Sequence, residues 1–101
     1  MTKHPWDSSM EFLAHGLLTL DNAEECRNFL CDLCTASELQ EMSRRLQAAK
    51  MLKLGYVYSD IAEQTGLSTA TISRVNRCLK YGHDGGYHTV LERLEKEGRR
   101  R

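Results

Sequence analysis

The chain has 101 residues, which makes it one domain by length, and its formal net charge is zero, which taken alone argues against a nucleic-acid binder. No apolar run approaches the roughly eighteen residues of a membrane span. The opening MTKHPWDSS lacks a signal peptide's charged-then-apolar design, so the chain is expected to be cytoplasmic with its four cysteines reduced. The zero charge is a cancellation: residues 1–42 carry two basic and eight acidic residues, net −6, and residues 43–101 twelve basic and six acidic, net +6. That asymmetry predicts a basic working end and an acidic part used for assembly or solubility.

Residues 1–6 read as a loose start, with Pro5 the only proline. From an N-cap at Asp7, the residues Met10, Leu13, Leu17 and Leu20 fall on one helical stripe, with Phe12 and Leu18 beside or behind it. A helix this apolar needs a partner surface and is read as a dimerisation arm, packing back on its own chain being the simpler alternative. Asp21 with Glu24 predicts the next helix start in the manner of a capping box, and that helix, with Phe29, Leu30 and Leu33 inward, ends near Cys34. Thr35 with Glu38 repeats the signal and opens a long helix to about Leu54, with Leu39, Met42, Leu46, Ala49 and Leu52 as its buried stripe and Gly55 as its stop.

The stretch Tyr58–Arg77, YSDIAEQTGLSTATISRVNR, then has the residue types and spacing of a helix-turn-helix. Ala62 is small where two helices would cross. Gly66 can take the positive φ of a sharp turn, and Ser68 can cap the second helix. Ile61, Leu67, Ile72 and Val75 supply the apolar wedge between the two. The outer side of the second helix carries hydroxyls and arginines, with no carboxylate from Gly66 to His83. Such a face suits a DNA major groove, because hydroxyls and helix N-terminal amides can meet phosphates and arginine can pair with guanine edges. Phosphate anchoring is expected from Ser59, Ser68, Thr71 and Lys80. Base reading is expected from Thr69, Ala70, Ser73, Arg74 and Arg77. Gly82, His83, Asp84, Gly85 and Gly86 break the chain, and a last helix is predicted from about Tyr87 to Glu97 on Tyr87, Val90, Leu91 and Leu94. Gly98 and three arginines read as a disordered tail. No strand pattern and no internal repeat is present.

Other chemistry has weaker support. Cys26, Cys31 and Cys34 have C-x4-C-x2-C spacing, with Cys78 a conceivable fourth ligand. They lie in a helical pattern beside Phe29, Leu30 and Leu33, without the glycine-rich turns of a cluster site, and are read as buried small hydrophobes with no metal. His83, Asp84 and His88 read as part of a solvated turn. No serine stands in a nucleophile-elbow context and no paired carboxylates are recognisable, so an enzyme is not expected and no cofactor is implied.

The order of helices, with the motif fourth and fifth, resembles the tryptophan repressor family, in its YerC/YecD branch, from about residue 10 to 95. The specific part is Thr35-Ala-Ser-Glu38, Arg45-Leu46, Gly55, Thr65-Gly66, Ala70-Thr-Ile-Ser-Arg74 and Gly85-Gly86-Tyr87. The resemblance implies an all-α, six-helix Trp-repressor-like fold, assembled as an intertwined homodimer with interlocked N-terminal helices. It also implies a roughly two-fold DNA operator, with half-sites about one turn apart. In such a fold the dimerisation helices span about 7–54, the helix-turn-helix about 57–80 and the C-terminal helix about 87–97 of a single domain, 1–101. In the tryptophan repressor itself, one arginine on the long helix meets the carboxylate of L-tryptophan and one on the recognition helix covers the indole. The resemblance puts these at Arg45 and Arg74. It also puts Val75 where the repressor has a glycine beside the indole, and Cys78 where it has a serine near the ligand amine. A first motif helix that starts at Val57 lacks the hydroxyl cap expected there.

The sequence therefore reads as a homodimeric, sequence-specific transcriptional regulator, expected to be a repressor, whose partner is double-stranded operator DNA. L-tryptophan is not expected as its effector. A protein-interaction adaptor in a transcription complex, or a thiol-based redox or metal sensor, are the alternative readings.

Overall fold

The computed structural model describes residues 6–100, with side chains through residue 98. The expected loose start therefore falls outside the described residues for 1–5, as does Arg101. The chain divides into two compact units, Met1–Leu39 and Gln40–Arg101. All regular structure among the described residues is helical: α1 (Ser8–Leu18), α2 (Ala23–Leu33), α3 (Ala36–Lys53), α4 (Tyr58–Thr65), α5 (Thr69–Tyr81) and α6 (Gly86–Arg100).

In the first unit, helix starts are set by short polar side chains. The Asp7 carboxylate accepts from the Met10 amide at 2.9 Å and from the Ser9 hydroxyl at 2.8 Å, two bonds that hold it below the usual carboxylate range. Trp6, the last residue of that stretch, lies outside α1 and is exposed, and its indole N–H donates to Glu11. The start of α2 corrects the expected Asp21–Glu24 box by one residue. Asn22 is the extended N-cap that accepts from Glu25 N at 2.9 Å, and Glu25 reaches back to the Asp21 amide at 2.9 Å. The Thr35–Glu38 box is reciprocal, at 3.1 and 2.8 Å. Neither α1 nor α2 has a buried residue; Phe12 and Leu18 are 81% and 82% exposed. The cysteines correct the expectation of buried thiols: Cys26 and Cys34 are half-buried, Cys31 and Cys78 exposed. Among the described residues, no three His, Cys, Asp or Glu side chains converge on a metal-sized site.

The second unit holds the core. One cluster joins Ala48 and Met51 of α3 to Ile61, Leu67 and Ile72; another joins Ala49 of α3 to Val75 and Leu91, with Leu46, Leu79 and Tyr87 against it. Leu52 touches both. This revises the predicted α3 stripe: Ala48, Ala49 and Met51 are the buried residues, Leu46 and Leu52 are half-buried and Met42 is 38% exposed. The reason is that α3 serves two clusters, through Ala48 and Met51 on one side and Ala49 on the adjacent one. Ile61 and Ile72 are fully buried, each worth roughly 1.5–3 kcal/mol of transfer free energy.

At the other end, Gly98 does not break α6, which runs on to Arg100 where a disordered tail was expected. The described glycines with positive φ are Gly55, Gly66 and Gly85, so Gly98 lacks the left-handed conformation that ends a helix. The start of α6 comes at Gly86, one residue before Tyr87.

Candidate nucleic-acid interface

The hairpin α4–α5 is built around one turn. Gly66 adopts φ +78°, which costs glycine nothing, and its amide reaches Ala62 O at 2.9 Å. Thr65, buried, completes the turn: its hydroxyl donates to Ile61 O at 2.7 Å and accepts from the Leu67 amide at 3.2 Å. The Leu67 amide, which the turn takes out of the helical ladder, is thereby satisfied, and the buried hydroxyl has a partner of its own. Val57 caps α4 without a side-chain bond, as the sequence indicated. Ser68 caps α5 by accepting from Thr71 N at 3.2 Å.

Ile72 and Val75, 0% and 2% exposed, fix which side of α5 faces the core. At 3.6 residues per turn, Thr69, Ala70, Ser73, Arg74, Arg77 and Lys80 then fall within an outer arc of about 140°. All but Ser73, half-buried, are exposed. Ser59 is exposed near the start of α4 and Ser68 at the cap of α5. Thr71 stands apart from the arc: it is half-buried on the Val75 flank and its hydroxyl is 3.1 Å from Ser68 Oγ. Sequence reasoning missed Tyr81, 74% exposed, which continues the stripe of Arg74 and Arg77 at i+7 and i+4. That spacing was its available signal.

The residues that the resemblance places around a ligand, Arg45, Arg74, Val75 and Cys78, separate by environment. Val75 is packed inside the second cluster, while Arg74 opens outward with the arc. Arg45 lies 3.8 Å from Glu41 and beside the Tyr87 hydroxyl, and Cys78 is exposed. Burial pushes the Tyr87 phenol above its ordinary range, with Arg45 pulling the other way. The phenol thus keeps its proton at neutral pH. His88, read as part of a solvated turn, is instead half-buried in the first turn of α6, with Nε2 2.7 Å from Leu79 O.

This arrangement of six helices coincides with a match of residues 8–95 to the model of the Trp repressor protein family. The chain belongs to the Trp repressor family. Its relatives include the uncharacterized protein YerC of Bacillus subtilis (strain 168), 46% identical over 87 residues that span 86% of this chain and 83% of YerC. A crystal structure of a TrpR like protein from Eubacterium eligens ATCC 27750 superposes with a TM-score of 0.82 at 48% identity, over 88% of this chain and 91% of that one. A Staphylococcus aureus protein provisionally described as a Trp repressor matches with a TM-score of 0.82 at 47% identity, over 88% of each chain. Trp repressor family membership points to a DNA-binding regulator on a regulatory rather than an enzymatic fold. No described helix is long and apolar enough to cross a membrane.

Proposed function

We propose that this Trp repressor family protein is a cytoplasmic, homodimeric repressor that reads a roughly two-fold DNA operator by placing α5 in the major groove. The observation that carries the reading is the outer arc of α5. Hydroxyls at its N-terminal end and Arg74, Arg77 and Lys80 along it face away from the core, on a helix and flanks free of carboxylates from Gly66 to His83. Ser59, Ser68, Thr71 and Lys80 anchor phosphates. Thr69, Ala70, Ser73, Arg74 and Arg77 meet base edges. The whole chain, 1–101, acts as one DNA-binding domain whose N-terminal helices hold the dimer. L-tryptophan is not its corepressor, because Val75 fills the wall against which an indole would lie.

The test is binding to a duplex selected by the protein, compared with a scrambled duplex, across salt concentrations. Arg74→Ala and Arg77→Ala are each expected to weaken the selected site by about 1–3 kcal/mol and the scrambled one much less. Lys80→Ala is expected to weaken both and to lower the salt slope by about one. Equal losses on both duplexes for the arginine variants would remove their base-reading role.

A further inference from the structure

The last turn of α5 is held from outside the helix. The final carbonyls of a helix have no partner within it, so a C-terminal turn frays unless something else bonds them. In α5 the Cys78 carbonyl accepts from the Gly82 amide at 3.1 Å, and the Leu79 carbonyl lies 2.7 Å from His88 Nε2, in a part-buried position. A carbonyl only accepts, so Nε2 carries the proton. The Leu79 side chain meanwhile packs on the cluster of Ala49, Val75 and Leu91. The residue is therefore fixed by both its side chain and its backbone.

The connection that brings His88 there is short and constrained. At Gly82 a Cβ would stand 2.5 Å from the Cys78 carbonyl oxygen, a contact that backbone cannot relieve cheaply, and Gly85 takes φ +68° before α6 begins. The residue before His88 is Tyr87, which packs against the cluster that holds Ala49 of α3. The first turn of α6 thus grips two helices, α3 through residue 87 and α5 through residue 88.

We propose that His88 is a positioning residue for DNA binding. By clamping the Leu79 carbonyl it keeps the last turn of α5 wound and sets where the adjacent Lys80 stands relative to Arg74 and Arg77. The proposal rests on the reading of α5 as the DNA-binding helix. His88 is half-buried behind that helix and acts through it, and a turn ordered before binding spares the cost of ordering it on the DNA.

The experiment compares His88→Ala with His88→Gln, whose amide nitrogen can reach where Nε2 stands. In the DNA-free protein, amide exchange at Lys80, Tyr81 and Gly82 should quicken about three- to tenfold in His88→Ala, the worth of one hydrogen bond, and stay near wild type in His88→Gln. Exchange around Ile61 and Ile72 should not move. On a selected duplex His88→Ala should lose affinity by a similar factor, and its salt slope should fall by about one. Adding Lys80→Ala should then cost little more. A merely structural role would instead quicken exchange throughout and add fully to Lys80→Ala. Unchanged exchange in the last turn of α5, uniform exchange gains, unaltered DNA affinity, or failure of glutamine to restore binding would each overturn the clamp. If wild-type protein binds no duplex, the DNA-binding reading fails while the exchange arms still decide whether the clamp exists.

Discussion

Val75 is 2% exposed and shares its cluster with Ala49, Leu91 and the half-buried Leu46 and Leu79. A β-branched residue holds few rotamers, so this wall does not fold aside for a planar ligand. Forcing an indole against it would overpack the site at a cost of about 1–3 kcal/mol, enough to remove a modest affinity. Arg45 and Arg74 stay available as carboxylate partner and stacking plane, yet Arg45 is engaged with Glu41 and Tyr87, and Arg74 faces the proposed DNA. Calorimetric titration with L-tryptophan is therefore expected to show no binding at micromolar concentration, and Val75→Gly should gain some. Micromolar affinity in the wild type, coupled to tighter DNA binding, would contradict this account of the pocket. The single residues differ in how well the sequence announced them. Val75 and Gly66 were legible because a motif demands an apolar residue and a turn glycine at fixed offsets. His88 was not, because a bond to a backbone carbonyl leaves no partner side chain to be read.

Each helix carries its own boundary chemistry, and α1 exposes it to a simple test. The Asp7 cap is ionised and accepts from the Met10 amide and the Ser9 hydroxyl, which lowers its pKa. A lowered folded pKa means that the cap's stabilisation is complete above the unfolded carboxylate range and is lost as pH falls through the folded value. Circular dichroism should therefore show α1 helicity falling in acid, below the ordinary aspartate pKa of 3.8. Asp7→Asn should remove that acid-dependent step while keeping much of the cap, and Asp7→Ala should lower helicity already at neutral pH. An unchanged acid profile in Asp7→Asn would show that another carboxylate governs the loss. Caps of this kind are local, so most helix starts were readable from sequence. The one-residue error at α2 arose because Asp21–Glu24 and Asn22–Glu25 are overlapping boxes with near-equal capping residues, and Glu25 uses the Asp21 amide to complete the second. The buried side of α3 was harder. Periodicity finds one stripe, whereas two clusters bury the adjacent Ala48 and Ala49, and which neighbours approach a helix is not written in its own period.

For the whole molecule, charge and the buried core divide along the chain in the same sense. The acidic excess lies in 1–42, where no residue of α1 or α2 is fully buried, and the basic excess lies in 43–101, with the hairpin and its outer arc. Leaving side chains such as Phe12 and Leu18 in water forgoes roughly 1.5–3 kcal/mol each, which favours assembly through that part in the homodimer proposed above. A dimer carrying two copies of α5 presents two reading helices related by a two-fold axis, so the symmetry of the protein must reappear in its DNA. Selection from a random duplex library by the purified wild-type protein, without added amino acids, measures this directly. The predicted result is enrichment of one roughly palindromic site with half-sites about one helical turn apart, lost when Arg74 and Arg77 are both replaced by alanine. Absence of any enriched sequence, or enrichment of a site that survives those replacements unchanged, would contradict it.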